Sequence, residues 1–335
     1  MAHRALVGLL LVAAVSSWSV GAPAAASAAT QSGCGDGVRR MSERDQGTPV
    51  LLVHGFAGAP SDFRHRLADR PSMLDAINRL EGVVAYTFDY SDHSLEWVTD
   101  PAIGERLGRA IACLADAHGA PVTVVAHSMG GLATRQAQGG EVDGRPVSDS
   151  LARVVTVGTP FKGAHLLGFG GGIGGDIAAE LINTALRACS TDFSRAPAAF
   201  RELRRPQRTF CGLLGATETA AVQGMIPDSD ELGALPAWGD DVRIVPMAAD
   251  IDVGVGGPFG FSESFSVGDF AVSVRSATAD ASRGVRPFVA RCRASLFGIV
   301  DAIDASPCSH ANELANRRIV RHVRDAVQRG VTQGS

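Results

Sequence analysis

Lysine is almost missing from this sequence. Lys162 stands alone, and nearly all other positive charge is arginine. That leaves no lysine cluster of the kind that grips nucleic acid, and a net charge of −4 argues against such a partner. A GC-rich coding bias accounts for the arginine without any phosphate-binding role. Beyond the N-terminal region no apolar run approaches the length needed to cross a bilayer, which excludes a stable membrane anchor. No two cysteines have C-x-x-C spacing and no histidines cluster near them, which excludes a zinc site. Internal repeats and coiled-coil heptads are absent as well. No metal and no cofactor are expected.

What is present begins with Arg4, an apolar run from Ala5 to Val15, and small residues ending at Ala26-Ser27-Ala28. This pattern predicts a secretory signal peptide over residues 1–29, cut after Ala28 or Ala29, and hence a secreted, extracellular protein. The rest, 30–335, is long enough and apolar enough (45% hydrophobic) for one large domain, expected to be monomeric. All six cysteines fall in it, and an even count in an exported chain suggests disulfides. The expected pairs are Cys292–Cys308, Cys189–Cys211 and Cys34–Cys113. The first would brace the segment before His310. In the predicted helix Ile103 to Ala117, Cys113 lies beside the apolar stripe Ile103, Leu107, Ile111 and Leu114, so it can reach a neighbouring segment.

The most informative stretch runs from Val122 to Arg135. Val122, Thr123, Val124 and Val125 read as a buried strand, Ala126 to Gly131 as a sharp turn, and Leu132 to Gln138 as a helix. On such a turn a serine, here Ser128, is held in a strained conformation with its hydroxyl exposed at the strand's carboxyl end. Residues two before and two after it must be small, and Ala126 and Gly130 are. Further strands are expected at Pro49 to Val53, Val83 to Phe88, Val154 to Val157, Val242 to Met247 and Val272 to Val274. Helices fall between them, with Ser61 and Ser72 as N-caps, and Ile319, Val320, Val323 and Val327 mark a closing amphipathic helix. Strands alternating with helices mean an α/β fold with a mostly parallel sheet. Residues 163–241 break the rhythm: this long insertion, opening on a glycine-rich run from Gly168 to Gly175 with a helix over Ile177 to Ala188, is read as a lid.

A serine hydroxyl needs a base to remove its proton and a carboxylate to orient that base. In this architecture the chain order is serine, acid, histidine. That order removes His54, His65, His93 and His118; His127 is adjacent to Ser128, His165 precedes any acid, and His322 lies inside the closing helix. His310 remains. Its acid is open among Asp269, Asp252 and Asp250, while Asp301 and Asp304 read as surface charges. The oxyanion needs two N–H donors. Met129, next after the serine, supplies one, and the loop His54-Gly55-Phe56-Ala57-Gly58 supplies the other from Phe56.

Taken together, VHGFAG (Val53 to Gly58), VVAHSMGG (Val124 to Gly131), VGTPFKGA (Val157 to Ala164), SDELGALP (Ser229 to Pro236), GDFAVSVRSA (Gly268 to Ala277) and SHANEL (Ser309 to Leu314) resemble the α/β-hydrolase superfamily. More narrowly, the chain is similar to secreted bacterial lipases and esterases of the GPI inositol-deacylase-like group. The resemblance places the acid in a GD-x-x-V turn and so favours Asp269; where that group usually has glycine after the acid, this chain has Phe270. It implies an α/β-hydrolase fold and a serine carboxylic-ester hydrolase (triacylglycerol lipase or carboxylesterase) working on ester or lipid substrates through an acyl-enzyme. A cell-envelope acyltransferase with the same triad is the alternative.

Overall fold

Apolar runs such as Val50-Leu51-Leu52-Val53 and Val83-Val84-Ala85 offer no polar face, which suits strands covered by helices on both sides. The computed structural model describes residues 30–31, 33–68, 70–164, 219–256, 262–295 and 306–333. The expected signal peptide, Cys189 and Cys211, His165, Asp301, Asp304 and most of the expected lid, with its glycine run and helix, lie outside the described residues.

The strands are β1 (Thr30–Gln31), β2 (Val38–Arg40), β3 (Thr48–Val53), β4 (Val83–Phe88), β5 (Val122–His127), β6 (Glu141–Val142), β7 (Arg145–Pro146), β8 (Leu151–Val157), β9 (Arg243–Gly256), β10 (Ser262–Ser266) and β11 (Phe288–Ser295). Apart from the β6–β7 hairpin they form one sheet ordered β1-β2-β4-β3-β5-β8-β9, with β9 joined to both β10 and β11. The centre is parallel from β4 through β9, and β11 runs parallel to β9; β2 and β10 are antiparallel to their neighbours.

The helices are α1 (Met73–Asn78), α2 (Gly104–His118), α3 (Met129–Gln138), α4 (Ala220–Gly224), α5 (Asp230–Gly233), α6 (Val274–Ala277) and α7 (Arg317–Gln333). Strand alternation divides the core. Leu51, Val53 and Val124 pack with Leu107, Ile111 and Leu132 of α2 and α3 on one face. Val50, Leu52, Val125 and Val155 pack with Ile77 of α1 and with Ile319, Val323 and Val327 of α7 on the other. Each such side chain contributes about 1.5–3 kcal/mol on burial.

Among the described residues, two disulfides join these layers to the periphery. Cys34–Cys113 ties the N-terminal segment to α2, and Cys292–Cys308 ties β11 to the segment before His310. Both pairs match the expected pairing. At a sequence separation of 16, the cysteines of the second close a loop worth about 3 kcal/mol in unfolded-chain entropy.

Several local expectations differ. Val272 to Val274 is not a strand: Asp269 Oδ1 accepts the N–H of Ala271 (2.8 Å) and Val272 (2.6 Å), and Ser273 Oγ caps α6 by accepting from Ser276 N–H. Side-chain-to-backbone bonds here win over β-branched propensity. Ser61 is not an N-cap, because a short 3-10 helix begins at Pro60 behind Ala59; Ser72 is one, accepting from Asp75 N–H. The strand expected to stop at Met247 continues to Gly256, so Asp250 and Asp252 lie within β9 rather than after it.

Candidate active site

β5 runs directly into α3, with Ser128 as the single residue between them. Its φ of 53° and ψ of −131° lie where non-glycine residues rarely sit, a strain of about 1–3 kcal/mol that the surroundings must hold. They do so with three bonds: Ser128 N–H donates to Val157 O (2.9 Å), while Ser128 O accepts from Gly131 N–H (3.0 Å) and Thr159 Oγ1 (3.0 Å). The hydroxyl therefore stands at the carboxyl end of the parallel sheet.

His310 opens a short 3-10 helix (His310–Ala315) behind Ser309. Its Nε2 accepts from Ser128 Oγ at 2.8 Å, and its Nδ1–H donates to Asp269 Oδ2 at 2.8 Å. The backbone repeats the link, with His310 N–H donating to Asp269 O at 2.9 Å. Asp269 is almost fully buried, and its second oxygen holds the two turn N–H groups of Ala271 and Val272. Held by these three donors, the carboxylate fixes the imidazole's tautomer and tilt.

Ser128, His310 and Asp269 are thus brought together, whereas Asp250 and Asp252 are not part of the cluster. Asp250 bonds Ser266 Oγ and faces Arg291, and Asp252 sits in the ladder opposite Ser266 and Arg293. β10 pairs back along β9 as far as Asp252, and the turn at Gly268 then delivers Asp269 to His310. Phe270, at the group's usual glycine, takes φ +75° and packs against the core on the α1 and α7 side of the sheet. The glycine preference reflects that left-handed conformation.

The donors expected for an oxyanion also fall beside Ser128. Met129 is the first residue of α3, where an N–H has no intrahelical acceptor. On the other side, a Cβ on Gly55 would stand 3.3 Å from Ser128 Oγ, so the peptide that carries the Phe56 N–H borders the hydroxyl. The Phe56 ring itself is half-buried against the core.

Residues 50–316 match the model of the alpha/beta hydrolase family. The chain belongs to that family. Among solved structures, the mature form of Bacillus licheniformis lipase BlEst2 is 16% identical with a TM-score of 0.47, covering 85% of this chain and 93% of that one. Aspergillus fumigatus lipase B is 15% identical with a TM-score of 0.48, over 84% of this chain and 52% of the other. A thermophilic esterase from Thermogutta terrifontis is 16% identical with a TM-score of 0.40, over 85% and 91%. These likenesses are of fold alone. No curated protein matches the chain.

Two buried groups of this alpha/beta hydrolase flank His310. His127, at the end of β5, turns away from Ser128 as its adjacency requires, and its Nε2–H donates to the His310 carbonyl (3.2 Å). Burial, then the nearby His310, pushes the His127 imidazole down to about 3. The second group is Glu313, fully buried beside Asp269 and absent from the residues that chain order singled out. Its signal in the sequence was its position three residues after His310. His127, His310 and Glu313 bring metal-ligand atoms within 4.8 Å of one another, but both His310 nitrogens and His127 Nε2 are already engaged in hydrogen bonds.

Neutral His127 has a consequence for acid stability. Unfolding lets it take a proton below pH 6.5, which the fold refuses until about pH 3, so its contribution is complete above 6.5 and is lost as pH falls through that window. A His127→Gln variant is expected to show a flatter decline of Tm with acidification across that range. A decline parallel to that of the unaltered chain would contradict the assignment.

Proposed function

We propose that this alpha/beta hydrolase is a secreted serine carboxylic-ester hydrolase, a lipase or esterase, with Ser128 as nucleophile, His310 as base and Asp269 as acid. The observation that carries this reading is the unbroken relay of two 2.8 Å hydrogen bonds from Ser128 through His310 to Asp269. His310 Nε2 takes the hydroxyl proton as Ser128 Oγ attacks the acyl carbonyl carbon. The N–H groups of Phe56 and Met129 hold the resulting oxyanion, each worth about 3–4 kcal/mol of barrier. Collapse expels the alcohol, which leaves with the proton from His310. Water then gives its proton to His310 and attacks the acyl-enzyme, and a second collapse returns the proton to Ser128 and frees the carboxylic acid. Asp269 stabilises the imidazolium in both halves.

Export is supported by the N-terminal pattern and by the two disulfides, which persist in oxidising compartments. The test of the nucleophile is a fluorophosphonate probe on the folded, processed chain, followed by peptide mapping. One adduct, on Ser128, is expected. Failure to label the native protein, or labelling elsewhere, refutes the assignment. A series of esters of rising acyl length then separates a short-chain esterase from a lipase.

A further inference from the structure

Glu313 lies where a second carboxyl group has no obvious business. In a 3-10 helix, residues three apart share a face, so His310 and Glu313 project the same way. Glu313 Oε2 comes 3.7 Å from His310 Nδ1 and 4.0 Å from His127 Nε2. It presses on the backbone after β8 so closely that a Cβ on Gly158 would be 2.1 Å from it. The residue is fully buried, and neither carboxyl oxygen finds a hydrogen-bond partner of ordinary geometry.

The cluster contains two carboxyls and two imidazoles. His127 stays neutral, and His310 spends Nε2 on accepting from Ser128, so two ionised carboxylates would be buried together without a cation to face. Like charges in that setting do not both ionise. The donors decide which acid holds the charge: Asp269 receives Ala271 N–H, Val272 N–H and His310 Nδ1–H. Glu313 has the Ala249 backbone as its one donor and lies against the Asp269 carboxylate. Burial first, and the Asp269 charge second, push its carboxyl well above the usual range.

We propose that Glu313 is a positioning residue of the candidate triad: it stays protonated, donates its O–H to the Asp269 carboxylate, and ionises to hold His310 when Asp269 is neutralised. Asp269 and Glu313 thus carry one negative charge and one proton between them. This inference rests on the esterase reading for its kinetic consequence, but not for the proton itself.

The experiment uses the full processed chain and the variants Glu313→Gln, Asp269→Asn and the double. An infrared difference spectrum between unaltered protein and Glu313→Gln at neutral pH is expected to show the carbonyl stretch of a protonated buried carboxyl; no such band overturns the proposal. The amide of Glu313→Gln still donates, so this variant is expected to keep most of kcat/KM. Asp269→Asn is expected to retain activity about tenfold above the double variant, the size of coupling seen between residues in contact, with the residue of activity rising with pH. Equal rates in single and double variants overturn the takeover.

Stability gives a readout independent of catalysis. A carboxyl raised above its unfolded value of 4.5 contributes stability that is full below pH 4.5 and lost as pH rises, because only the unfolded chain releases the proton. The Tm of Glu313→Gln relative to the unaltered chain is therefore expected to climb above pH 4.5, and a difference flat with pH contradicts the protonated state. Should the unaltered enzyme hydrolyse no ester, the esterase reading fails while the infrared band and the Tm difference still decide the proton.

Discussion

Replacing Ser128 by alanine is expected to lower kcat/KM for a soluble ester by about 10⁵- to 10⁶-fold, the loss seen when a triad nucleophile is removed. The fold should survive, because the three bonds that hold the elbow come from the backbone N–H and carbonyl of residue 128 and not from Oγ. His310→Ala is expected to cost about as much, and the double variant little more, since a nucleophile without its base is as idle as a base without its nucleophile. Purified variants assayed on a short-chain chromogenic ester, with Tm as the folding control, check this. Ser128→Ala retaining a tenth of the native rate would place the nucleophile elsewhere.

Gly130→Ala should act on the same elbow through folding rather than chemistry. A Cβ there would come 2.3 Å from His54 O and 2.5 Å from Val53 O, both backbone atoms at the end of β3. Neither can swing aside without moving the central strand or lifting α3 off it. A loss of more than about 4 kcal/mol is expected, seen as insoluble expression or a greatly lowered urea midpoint. Gly233→Ala, where a Cβ meets nothing within 4 Å, is the control and should be close to neutral. Equal midpoints for the two variants would show that the close approach costs little.

How far the sequence could be read depended on how local each feature is. The elbow is local: strand, strained serine and helix follow one another within β5 and α3, so Val122 to Gln138 reveals them directly. His310 was reachable by chain order, a topological rule. Asp269 was favoured chiefly through the GD-x-x-V turn of the resemblance, with Asp252 and Asp250 left open beside it. What separates them is the length of β9, fixed by pairing with β8, β10 and β11 rather than by its own residues. Val272 to Val274 misled because its composition favours a strand, while Asp269 and Ser273 bind the backbone first. Glu313 escaped notice for a different reason. A glutamate in a polar stretch reads as a surface charge, and only the packing of three separate segments around it removes the water.

The Cys292–Cys308 disulfide has a consequence for how the molecule can vary. It fastens the segment before His310 to β11, and β11 is laddered to β9, the strand from which the chain passes on to Asp269. Asp269 and His310 are therefore anchored to one frame. The molecule can therefore vary least at this bridge and along the β9–β11 ladder, because a change at either reaches His310 and Asp269 together.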